Sequence, residues 1–170
     1  MQNHVQRLFR RIQGLFQLGS VTVAGDDSGD AQKAQVTVSG QAVRGGLPVV
    51  QDYGFSAVLP AGVDALIFSL SGDATSGVIV GTLDKKNRPK NLKPGQVCLF
   101  TQAGDQILLD NGDDGITITP KGGTVLINGN CHITGKLTVD GDVVAAGISL
   151  DDHTHSGVEA GSDDTGKPVS

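Results

Sequence analysis

From Ser20 onward the apolar residues fall at every second position or in short continuous runs. These are Val21-Thr22-Val23, Ala34-Gln35-Val36-Thr37-Val38, Ser56-Ala57-Val58-Leu59, Ala65-Leu66-Ile67-Phe68-Ser69-Leu70 and Gly77-Val78-Ile79-Val80-Gly81. A period of two is the mark of a strand that buries one face, so each run predicts a β-strand. Turn-forming stretches divide them: Gly25-Asp26-Asp27-Ser28-Gly29-Asp30, Pro60-Ala61-Gly62 and Ser71-Gly72-Asp73. Ahead of Ser20 the period changes. Val5, Leu8, Phe9, Ile12, Leu15 and Phe16 recur at helical spacing, Arg7, Arg10 and Arg11 lie opposite, and Gly19 follows as a stop signal. This predicts an amphipathic helix over residues 1–18, packed on its own chain or on a partner, with a membrane-surface helix as the alternative.

About five strands in some 70 residues, without helical patterning between most of them, suit a small Greek-key barrel of the OB-fold type over residues 19–94. Such barrels often bind single-stranded nucleic acid through exposed aromatics and basic grooves. Here the segment offers only Tyr53, Phe55 and Phe68 with few cations, so it reads as an adaptor or spacer. The run Asp84 to Pro94 is polar, basic and punctuated by proline, as a solvated linker at a boundary would be, although its five cations could also meet an acidic neighbour.

Beyond Pro94-Gly95 come shorter runs: Val97 to Phe100, Ile107-Leu108-Leu109, Ile116-Thr117-Ile118, Val125-Leu126-Ile127, His132-Ile133, Leu137-Thr138-Val139 and Val143-Val144. Glycine turns separate them, and they become shorter towards the C-terminus. Strands this short cannot cover their own apolar face. Three copies wound about one axis over residues 95–150 would turn Ile116, Ile118, Val125, Ile127, Leu137 and Val139 inward and Thr117, Thr124 and Thr138 outward. That closed, triple-stranded β-helix would also remove free strand edges. A one-chain solenoid is the alternative, but it usually needs more coils than this stretch provides.

Composition agrees with repetitive β-structure: 25 glycines, no tryptophan and one methionine among 170 residues are a poor recipe for a large globular core. The net charge of -5 argues against holding a phosphate backbone, so no nucleic-acid partner is expected. Cys98 and Cys131 form neither a CxxC pair nor a disulfide scaffold, and both read as reduced and packed. No stretch approaches the roughly 20 apolar residues of a membrane span, and the basic N-terminus lacks a secretory core and cleavage site. Synthesis as a soluble cytoplasmic protein is the expectation.

The candidate chemistry lies in residues 151–170, where Asp151-Asp152-His153-Thr154-His155-Ser156-Gly157 follows the last repeat. In a strand His153 and His155 would share a face about 7 Å apart, and neutral imidazole is a common metal ligand. A lone HxH is half a site and often no more than a polar loop. On a three-fold axis the pair would supply six nitrogens, a closed octahedral shell better suited to iron than to zinc. A closed shell has no open position, so the role would be structural. A two-His-one-carboxylate centre with Asp151 or Asp152 is the catalytic alternative, but no pocket-forming segment surrounds it. His4 and His132 read as incidental.

With these features assembled, the chain resembles the baseplate spike, or central tail-puncturing protein, of Mu-like and P2-like contractile-tailed phages, the baseplate assembly protein V family. The likeness runs along nearly the whole chain. It is carried by Arg7-Leu8-Phe9-Arg10-Arg11-Ile12, the strand block to Gly81, Arg88-Pro89, Leu92-Lys93-Pro94-Gly95 and the glycine-punctuated repeats. Most specific are Asp152-His153-Thr154-His155-Ser156-Gly157-Val158 and Thr165-Gly166-Lys167-Pro168. The resemblance implies a homotrimer with an OB-fold collar, a triple-stranded β-helix shaft and an apex where His153 and His155 of each chain bind one iron ion. It implies that the spike caps the tail tube, docks on a baseplate hub protein and is driven through the host outer membrane when the sheath contracts, so that it resides in the virion at the baseplate tip. Family apices can also hold calcium and chloride, with Asp151 or Asp152 the calcium candidates here. Gly161-Ser162-Asp163-Asp164 departs from the family in being more acidic than its glycine-rich apex loop. A phage-tail-like bacteriocin would use the same device. No enzyme is expected, because a cell-wall hydrolase needs a carboxylate pair in a cleft-forming domain and the chain has no room for one.

Overall fold

The computed structural model describes residues 5, 6, 8, 12, 14–38, 42–69, 76–112, 115–157, 159 and 161. The chain divides into two compact units, residues 1–125 and 126–170.

In the first unit the alternating runs become strands β1 (Phe16–Asp26), β2 (Lys33–Val38), β3 (Val43–Pro48), β4 (Asp64–Ser69) and β5 (Gly77–Leu83). They form one antiparallel sheet in the order β3-β2-β1-β4-β5. The sheet curls, helped by register shifts in β1 at Val21 to Val23 and Val23 to Asp26, since bulges add local twist. Its two ends meet where the Val50 N–H donates to the Ile79 carbonyl at 2.9 Å, beside a parallel bridge between Val49 and Ile79. The concave face buries Val21, Val36, Ala65, Ile67 and Ile79 almost completely. Gly19 is required at the β1–β2 crossing, where a Cβ would stand 2.5 Å from Val36 Cγ1 and 2.7 Å from the Thr37 carbonyl.

Ser56 to Leu59, expected as a strand, is not one, and β3 takes its place in the sheet. Side chains do for this segment what a ladder would otherwise do. Gln51 donates to the Ala57 carbonyl at 2.9 Å and accepts the Ala57 N–H at 2.7 Å. Buried Gln32 donates to the same carbonyl at 2.7 Å and accepts the Leu59 N–H at 3.3 Å. The Leu59 carbonyl also accepts the Gly25 N–H of β1 at 2.9 Å, and Leu59 is thereby seated in the core without a strand ladder of its own.

The predicted helix over residues 1–18 is corrected at its C-terminal end. Phe16 pairs with Phe68 and Leu18 with Leu66, so both belong to β1. Val5, Gln6, Leu8 and Ile12 have helical backbone, but the described residues contain no helix element, and the rest of the expected helix lies outside them. In the basic run, Asp84 accepts the backbone N–H groups of Lys86 and Asn87 at 3.0 and 2.8 Å, and Lys85 pairs with Asp64 at the surface.

Still within the first unit, β6 (Val97–Phe100), β7 (Gln106–Leu109) and β8 (Ile116–Thr119) form an antiparallel meander. Asp105 ties its first turn, accepting from Thr101 Oγ1 at 2.7 Å and from the Lys121 N–H at 2.8 Å. In the second unit β9 (Val144–Ala145) and β10 (Ile148–Ser149) make a short hairpin. Leu126-Ile127, His132-Ile133 and Leu137 to Val139 lie outside any strand, since no ladder within the chain pairs them. The six apolar residues expected to turn inward, Ile116, Ile118, Val125, Ile127, Leu137 and Val139, are all exposed in the single chain, Ile116 at 65%. Cys98 is half-buried, but Cys131 is exposed rather than packed, because it sits on one of these unpaired segments.

Candidate metal centre

The path to the histidines begins at the β9–β10 hairpin. Its two-residue turn is Ala146-Gly147, with φ of 52° and 82°, the left-handed pair that a tight hairpin connection demands. The Leu150 N–H closes the hairpin on the Val143 carbonyl at 2.8 Å. One carboxylate then directs the chain away from it. Asp142 Oδ1 accepts the N–H groups of both Leu150 and Asp151 at 3.1 Å. The Ser149 hydroxyl, followed by the Asp151 N–H, holds the Asp142 carboxyl below its ordinary pKa. Ser149 Oγ also accepts the Asp152 N–H at 2.9 Å.

Residues 153–155 lie in irregular backbone rather than in the strand expected from the spacing. The rings are nevertheless brought together, with centroids 5.1 Å apart and planes at 77°. His153 Nδ1 lies 3.1 Å from the Leu150 carbonyl oxygen. Both histidines are exposed, and Gly157, at φ 80°, follows them.

Asp151 and Asp152 contribute backbone N–H groups to this network, and neither side chain joins the imidazoles in a three-donor cluster. Among the described residues no three His, Cys, Asp or Glu side chains converge on one point, so the two-His-one-carboxylate reading has no geometric support. His132 is exposed on an unpaired segment, and His4 lies outside the described residues. Sequence reading missed Asp142 and Ser149. The available signal was an acidic residue just ahead of a short apolar hairpin with Ala-Gly at its turn.

An open groove of about 650 Å³ lies in this unit, lined by apolar Leu137, Val139, Val143 and Leu150 and acidic Asp140, Asp142 and Asp151.

Two family models match the chain. One, described as Bacteriophage Mu Gp45, N-terminal, matches residues 19–86, and the other, the GpV Apex motif, matches residues 147–169. The chain is also 28% identical over 178 residues to the baseplate puncturing device gp45 of Escherichia phage Mu, covering 91% of this chain and 89% of that protein. The apex match begins at Gly147, the second residue of the hairpin turn, and takes in Asp151, Asp152 and both histidines.

Proposed function

We propose that this chain is a baseplate spike protein and that three copies of it wind into the puncturing spike at the tip of a contractile phage tail. In this reading residues 19–94 form an OB-fold collar, 95–150 an intertwined β-helix shaft and 151–170 a metal-binding apex. The spike resides in the virion at the baseplate, caps the tube on a hub protein and pierces the host outer membrane when the sheath contracts. Its work is mechanical: it needs stiffness and a narrow point.

The observation that carries this reading is the uncovered apolar surface of the C-terminal half. Leu126 is 78% exposed, Leu150 68%, and every apolar run from Val125 to Leu150 contributes to that surface. At roughly 25 cal/mol per Å² of apolar area, leaving such a series in water is costly, and neighbouring copies offer both cover and strand partners for segments that have none in their own chain. For the collar, the strand order and the parallel contact that joins the sheet's two ends at Ile79 support a closed Greek-key barrel.

The histidine pair fits a shared metal ion. One chain supplies two imidazoles with ring centroids 5.1 Å apart, and three chains would supply six nitrogens to one ion. A donor set made only of imidazoles suits a first-row transition metal, and a six-coordinate shell favours iron. When bound, the ion supplies a cross-link between chains where the section is too narrow for an apolar core. His153 and His155 hold it, and Asp142 and Ser149 position the backbone that leads to them.

Mass measurement in solution tests the assembly. A trimer is expected, and a stable monomer would defeat the shaft reading. Elemental analysis should find about one iron per three chains, and one metal per chain would sink the axial site. A nucleic-acid adaptor built on the same barrel predicts salt-dependent oligonucleotide retention, and none is expected.

A further inference from the structure

The chain contains two Asn-Gly pairs, Asn111-Gly112 and Asn128-Gly129, and their surroundings differ. Asn111 donates from Nδ2 to the Pro94 carbonyl at 2.9 Å. It lies so close over Gly95, where φ is 89°, that a Cβ there would stand 2.5 Å from Nδ2. The Gly112 N–H donates to Asp110 Oδ1 at 2.9 Å. Asn128 and Gly129 have no such restraints. Both are exposed, neither makes a hydrogen bond with another described residue, and nothing stands within 4 Å of where a Gly129 Cβ would be.

The contrast matters because Asn-Gly is the dipeptide in which the chain can attack itself. The backbone nitrogen of the glycine attacks the asparagine Cγ and gives up its proton. The side-chain amide nitrogen leaves as ammonia, and a succinimide ring closes. Water then opens the ring at either carbonyl, giving aspartate or isoaspartate. One water is consumed and one ammonia released, and no oxidant or cofactor takes part. At Asn111 both reacting groups are engaged: the amide that must rotate is held by Pro94, and the nitrogen that must attack is held by a carboxylate. At Asn128 both are free.

We propose that Asn128-Gly129 is a site of self-modification in this protein and that Asn111-Gly112 is protected from the same reaction by its hydrogen bonds. The product carries a new negative charge. Where the ring opens to isoaspartate, the backbone gains one carbon between Val125-Leu126-Ile127 and His132-Ile133. Side chains alternate with a period of two, so added backbone at that turn disturbs which residues of the following run face inward. Modification therefore acts as an ageing clock on this part of the chain. The inference rests on the proposed assembly leaving this turn outside the ladders between its chains, so the test is made on the assembled protein.

The test follows both sites in the full-length protein, incubated at mildly alkaline pH as purified and, in parallel, unfolded in urea. Cleavage at Lys121 separates the two peptides, and fragmentation mass spectrometry distinguishes aspartate from isoaspartate. In urea the two asparagines should convert at similar rates. In the folded protein Asn128 should stay near its unfolded rate, while Asn111 slows by about tenfold or more, the factor expected when a hydrogen bond to a charged acceptor must first be released. Equal rates in the folded protein, or an Asn128 slowed as far as Asn111, would overturn the proposal. Asp110→Ala should accelerate Asn111, and its failure to do so would overturn the assignment of the protection to that carboxylate.

Discussion

His153 holds its Nδ1 atom 3.1 Å from the carbonyl oxygen of Leu150. A carbonyl can only accept, so a hydrogen bond across this contact has Nδ1 as its donor, and in the neutral ring that tautomer leaves the lone pair on Nε2 for a metal. His153→Ala and His155→Ala should each abolish bound metal in elemental analysis and lower the thermal midpoint of the C-terminal half. Chelation should act in the same direction. Ligation by neutral imidazole also means that the metal should be released as the pH is lowered, which a titration followed by metal content would check.

Asp142 carries a second pH dependence. Its carboxyl is held below the ordinary value by Ser149 and the Asp151 N–H, so the folded form favours the ionised state. A depressed folded pKa means that this contribution is fully present above the unfolded carboxylate pKa, near 3.9, and is lost as the pH falls through the lower folded value. Asp142→Ala should remove it at all pH values. Amide exchange at Leu150 and Asp151 should speed up in the variant at neutral pH and in the parent protein only in strong acid.

Ala146 is one of two non-glycine residues with positive φ among those described. The left-handed conformation costs a residue with a Cβ roughly 1–2 kcal/mol. Ala146→Gly should relieve most of this cost, offset in part by the entropy of glycine, for a net gain of about 0.5–1 kcal/mol in the hairpin. Ala146→Val should lose more than that. Thermal unfolding of the C-terminal half would rank the three proteins.

The two halves should respond to different substitutions. Ile67 is fully buried in the curled sheet, and Ile67→Ala should cost about 2–5 kcal/mol in denaturant unfolding of that sheet. Ile127 is 60% exposed in the single chain, so Ile127→Asp should leave the unfolding transition of the sheet unchanged. In the proposed assembly it should nevertheless prevent trimer formation, as read by mass in solution.

Much of the fold could be read where the pattern had only one interpretation. The runs at Val21 and Ala34 alternate, those at Ala65 and Val78 are short and continuously apolar, and each became a strand. Phe16 and Leu18 fit both a helical spacing and a strand alternation, and pairing with Phe68 and Leu66 decided between them. Strand β3 was missed because Gly45, Gly46 and Pro48 give it the composition of a turn. Ser56 to Leu59 was misread because distant glutamine side chains and a single N–H from Gly25 of β1, rather than a continuous ladder, satisfy its backbone. At the candidate metal centre the pairing of His153 with His155 was legible from a two-residue spacing. Asp142 was not, because its role comes from backbone groups eight and nine residues away that only the hairpin brings to it.

Among the described residues the buried core is the curled sheet's concave face with Leu59 seated on it, and in residues 126–157 no described side chain is buried. This division sets an order of events. The N-terminal part can fold by itself as the chain emerges from the ribosome, at a rate indifferent to how many other copies are present. The C-terminal part, in the proposed assembly, must wait for encounters between chains, so its formation slows with dilution. During that wait the apolar runs from Val125 to Leu150 are open to any other sticky surface. Infected cells would therefore gain from making this protein in a burst, so that the right partners arrive first.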